Sequence, residues 1–236
     1  MAHLSHICYT ISTLETDQIR GHLNMNNKLL YQASAAAALV AFICTIVMGF
    51  VVRSPDPALS LQPSTPRGAE SEFIRVINDY PQAVLGFFTA DSLFVMSYLV
   101  VFLGLFTVTA ERARPLAWLG LGAGILAGML DASENAFFIN YALLAVNGVP
   151  LVDPELPLIY HLANLKYWAA FASFYAFGMA FPRQNRLGWV ISALMLAFPL
   201  VGVLGILSPL LYELRGLFFL LGMPLFCAYF WQRARS

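Results

Sequence analysis

Read from its amino terminus, the chain alternates long apolar runs with short polar interruptions. Runs long enough to cross ~30 Å of hydrocarbon, about 20 residues each, fall at 29–52, 83–110, 115–146, 158–181, 187–211 and 214–231. The interruptions RSPDPALSLQPSTPRGAES, ERARP, NGVPLVDPELP, PRQNR and YELRG carry the prolines, glycines and charges that end helices. The pattern therefore predicts an all-α integral membrane protein, a bundle of about six transmembrane helices. The last interruption, around Ser208, Pro209 and Glu213, is the shortest, and Pro199 and Gly202 predict a kink in the fifth helix.

Outside these runs the sequence is polar. Residues 1–28 are aperiodic and read as a tail, although Met25 heads a short positive region followed by an apolar core and is a second candidate start. That core has no small-residue cleavage site at its far end, so it reads as a retained span and not as a removed signal peptide. Residues 53–82 form the first outer loop, Pro-rich in SPDPALSLQPSTP and amphipathic in AESEFIRVINDY. In the latter, Phe73, Val76, Ile77 and Tyr80 share one helical face against Glu72, Arg75 and Asp79. Such a helix lies flat on the membrane or packs on the protein's own outer end. Residues 233–236 form a short carboxy-terminal tail.

Composition agrees with the pattern. Hydrophobic residues make up 59% of the chain and charged residues 11%, with a mean hydropathy of +0.71, far from a soluble domain of this length. Net charge is zero, so nothing points to nucleic acid. Cys8, Cys44 and Cys227 are widely spaced and suggest neither a disulfide framework nor a thiolate metal site. The basic residues give the orientation. Arg20, Lys28, Arg112, Arg114, Arg183, Arg186, Arg233 and Arg235 fall on one side, and Arg53, Arg67, Arg75 and Arg215 on the other. The expected arrangement is a bacterial inner (plasma) membrane protein with both termini in the cytoplasm.

Against this apolar background a few polar residues stand out. In AGMLDASENAFFIN, Asp131, Glu134 and Asn135 occupy one helical face at i, i+3 and i+4. Gly120, Gly124 and Gly128 continue the same stripe as a doubled G-x-x-x-G, which predicts a close helix contact that turns the carboxylates inward. Asp91 in the second run and Lys166 in the fourth are expected near the same level, with His161 and Asn164 on another aspect of the fourth helix. Three acids against one clear base, Lys166, would leave uncompensated charge in low dielectric unless a proton, a cation, water or His161 offsets it.

The sequence contains no H-E-x-x-H, G-x-S-x-G or GxxxxGK[ST] motif and no pair of histidines at i, i+4 within a run. No cofactor or metal is expected, and the reading leans away from an enzyme. Intramembrane ionisable groups mark a functional site by default, so the leading expectation is a cluster of Asp91, Asp131, Glu134, Asn135, His161, Asn164 and Lys166 that binds or passes a proton, ion or small polar solute. Two alternatives stand beside it. In one, the protein is an accessory subunit whose cluster only holds helices together; in the other, it is an intramembrane enzyme acting on a lipid or isoprenoid. The expected partners are the lipid bilayer, other membrane subunits or a second copy.

Overall fold

A computed structural model describes residues 27–51, 70–152, 156–205 and 209–235. Most of the amino-terminal tail, the Pro-rich half of the first loop and Ser208 lie outside the described residues. The elements are α1 (Asn27–Val51), α2 (Glu70–Asp79), α3 (Pro81–Val146), α4 (Leu156–Ala180), α5 (Arg186–Leu204) and α6 (Pro209–Arg235), with no strand among the described residues.

At about 1.5 Å per residue, the 66 residues of α3 would run to about 100 Å if straight, three times a hydrocarbon layer. They do not run straight. Ala113 leaves helical geometry at φ −149°, ψ 75°, and Pro115, which lacks an N–H and crowds the preceding turn, opens the second half. The two halves, 81–112 and 114–146, fold back as a hairpin. Phe106 meets Trp118 with ring centroids 4.6 Å apart, and Phe88 stacks on Phe138 at 4.2 Å. With α3 divided, six long helical segments succeed one another.

By length and composition, four helices qualify to cross a membrane: α1, α3, α5 and the Leu214–Arg235 part of α6. α4, at 25 residues, is long enough, but His161, Asn164 and Lys166 make it more polar. The fold is all-α and of membrane type. Its surface is apolar, with Leu29, Phe50, Met129, Trp189 and Leu200 each more than half exposed. Asp131, Glu134, Asn135 and Arg215, by contrast, turn inward, the reverse of a soluble bundle.

The hairpin packs on α4, α4 on α5 and α5 on α6, while α1 closes the ring through Tyr31 on Phe230 and a hydrogen bond from Ser34 Oγ to the Val100 carbonyl. The glycine stripe lies in these contacts. A Cβ on Gly120 would meet Phe177, one on Gly124 would meet Phe102 and Ser173, and one on Gly128 would meet Leu99. Ser173 Oγ also donates to the Gly120 carbonyl at 2.7 Å, a distance the missing side chain permits.

The amphipathic helix α2 seats its apolar face on the protein. Val76 and Ile77 are buried with Val84, Phe88, Phe138 and Ile159 in a small core at the end of the hairpin. Asn78 fixes it there: Nδ2 donates to the Leu151 carbonyl at 3.0 Å, and Oδ1 accepts the Leu151 N–H at 2.8 Å. The opposite end of the bundle gathers arginines. Arg112 donates to the Phe181 carbonyl just past α4, and Arg183 donates to the Gly178 carbonyl and to Ser192 Oγ.

Candidate functional site

Three helical segments bring one charged group together. Asp131 and Glu134 come from the second half of α3, a turn apart on the face that carries the glycine stripe, and Lys166 comes from α4. Lys166 Nζ lies 2.8 Å from Asp131 Oδ1 and 2.5 Å from Glu134 Oε2. Lys166 thus bridges both carboxylates of the stripe. The first half of α3 supplies Tyr98, whose hydroxyl donates to Asp131 Oδ2 at 3.0 Å, so both oxygens of that carboxylate are engaged. The side chains are nearly dry, 16% exposed for Lys166, 10% for Asp131 and 4% for Glu134. Charge-assisted bonds of this kind are strong where water is scarce.

Asp91 stands two turns before Tyr98 on the same face of α3. Its charged neighbours are Asp131, Lys166 and Glu134, with Asn135 beside it. Asn135 is 2% exposed and donates to Ser92 Oγ at 3.4 Å. Asp91 and Asn135 thus join the Asp131, Glu134 and Lys166 group. His161 and Asn164 do not. Both are exposed on the far side of α4, because at 100° per residue they stand more than 130° around the helix from Lys166.

The sequence reading leaves out two residues that complete the surroundings. Arg215, counted there at the outer surface, is 6% exposed, with its guanidinium carbon 3.9 Å from the centre of the Tyr167 ring. α6 begins at Pro209, so Arg215 stands in its second turn. Tyr98 could have been found from its spacing, since Asp91 and Tyr98 at i, i+7 share a helical face. The signal for Arg215 was weaker, an arginine inside LYELRGLFFL, and positions of that kind usually belong to the membrane interface.

Asp91, Tyr98, Asp131, Lys166 and Arg215 all line one cleft of about 650 Å³, between the end of α1, both halves of α3, α4 and the start of α6. Its remaining wall is mostly aromatic and aliphatic, with Phe87, Phe94, Phe102, Phe174 and Phe219 among the lining residues. This size suits a small organic molecule, and an apolar wall with a few convergent polar groups is the usual character of such sites. Among the described residues no three His, Cys, Asp or Glu side chains are placed to hold a metal ion. No protein-family model matches the chain, and neither a curated protein nor a solved structure matches it.

Proposed function

We propose that this protein crosses the membrane six times, with both termini in the cytoplasm, and that it binds a small solute in the cleft, with Asp91, Asp131 and Lys166 as its polar contacts. One observation carries the reading: the Asp131 and Lys166 pair stands in the wall of a 650 Å³ cleft and not in solid packing. A cluster that served only to hold helices in register would gain by being sealed, because open space beside buried side chains forfeits contacts. Glu134 pairs with Lys166 and does not itself line the cleft, which favours binding over acid–base chemistry at that carboxyl. Six long helical segments, with α3 divided at Ala113, support the six crossings. The orientation follows from Arg112, Arg114, Arg183, Arg186, Arg233 and Arg235 standing at the hairpin bend, the α4–α5 turn and the end of α6.

The test separates folding from work. In cells lacking the gene, a variant with Lys166→Met, Glu134→Gln and Asp131→Asn is expected to reach the membrane folded, because neither carboxylate that Lys166 bridges is left charged, and to fail to restore the phenotype of the deletion. Full restoration by this neutral variant would overturn the reading and leave the cluster a structural one.

A further inference from the structure

We infer that the solute taken by the cleft is an organic cation, a protonated amine or quaternary ammonium with an apolar body, held at Asp91 against Phe87, Phe94 and Tyr98. The inference rests on the binding reading above and names its ligand class. The charges at the cleft do not balance, since Asp91, Asp131 and the Glu134 paired to Lys166 are three carboxylates against two cations, Lys166 and Arg215. Lys166 is committed to Asp131 and Glu134 by ion pairs of 2.8 and 2.5 Å. Asp91 is the carboxylate of this group that lies on the cleft and makes neither of those pairs. Uncompensated negative charge at membrane depth is costly, and a cation reaching Asp91 through the cleft would offset it.

The wall beside Asp91 fits an organic cation better than a bare ion. Phe87, Phe94 and Tyr98 line the same cleft, and Phe94 and Tyr98 pack edge to face with centroids 5.3 Å apart. Aromatic faces attract ammonium groups and accept the hydrocarbon around them, while they give a small hydrated metal ion no oxygen ligands. The volume of about 650 Å³ leaves room for an apolar body beyond the charged head. The second cation of the cleft, Arg215, stacks its guanidinium on Tyr167.

The full chain, purified in detergent, tests this with three probes of similar shape: benzyltrimethylammonium, benzoate and benzyl alcohol, each followed by melting temperature and by equilibrium binding. Benzyltrimethylammonium is expected to bind and raise the melting temperature, with benzoate and benzyl alcohol weaker by about tenfold or more, the size of a desolvated charge contact. Asp91→Asn is expected to remove that preference, and Phe87→Leu, which leaves every charge in place, to weaken the cation alone. If Asp91→Asn does not fold, the Phe87→Leu result decides. Equal or tighter binding of benzoate or benzyl alcohol would overturn the inference while leaving the cleft a binding site. Failure of benzyltrimethylammonium to bind, or its binding unchanged in both variants, would overturn it as well. The neutral-variant experiment on the deletion strain judges the binding reading separately.

Discussion

Lys166 holds two carboxylates with one ammonium, so its removal strands more charge than breaking an ordinary pair. Lys166→Met is expected to destabilise the protein by about 3–5 kcal/mol, the usual cost of leaving a buried charge without its partner. Adding Glu134→Gln is expected to recover only part of this, since Asp131 keeps its charge with the Tyr98 hydroxyl still donating to it. Further adding Asp131→Asn is expected to recover most of the rest. Melting in detergent of the single, double and triple variants measures the coupling, and strictly additive losses would disprove the shared bridge. Asp131, Glu134 and Lys166 were legible in the sequence because a charge inside an apolar run is costly enough to demand a partner. Their joint partnership was not, because two acids a turn apart are equally suited to a base on a neighbouring helix until the rotation of that helix is known. The same rotation removes His161 and Asn164 from the group.

At the scale of elements, the positions of the helices were read from hydropathy, and their ends differ from those predicted by only a few residues, apart from the end of α5, which stops at Leu204 and not at 211, and the start of α6. Its first residue is Pro209, not 214, because proline fits the first turn of a helix and the apolar pattern alone did not use that fact. Close contact along the glycine stripe makes a further prediction. Gly124→Leu would drive a branched side chain into Phe102 and Ser173, and the overpacking is expected to cost about 1–3 kcal/mol. An unchanged melting temperature would show that the stripe tolerates a side chain and that this hairpin contact is loose. For α2, Asn78→Ala removes both hydrogen bonds to Leu151, an expected loss of about 1–3 kcal/mol for backbone groups left without partners. Hydrogen exchange should then quicken in α2 and around Leu151 while the amides of α4 and α5 stay as they were. Equal exchange in α2 would mean that its apolar seat alone holds it. The amphipathic pattern of AESEFIRVINDY could not decide between a membrane surface and the protein's own end, since either covers Val76 and Ile77 equally well.

The whole molecule has one end rich in arginine and another where α2 and the cleft lie. A reporter fused after Ser236 is expected in the cytoplasm, and one inserted after Gly148 outside. A carboxy-terminal reporter found outside would contradict the six-crossing arrangement. The hairpin of α3 also bears on how the protein is made. Chain order places Asp91, Asp131 and Glu134 all before Lys166, which follows Asp131 by 35 residues. At ~5–20 residues per second, the ribosome delivers Asp131 to the membrane about 2–7 s before it delivers the ammonium that balances it and Glu134. During that interval the nascent hairpin must keep its carboxyls protonated, or keep them at the insertion machinery beside water. A chain that stops before α4 should therefore be cleared rapidly by membrane proteases, and Asp131→Asn with Glu134→Gln should lengthen its lifetime. Biogenesis, as much as the finished fold, then sets how many acids this hairpin can carry.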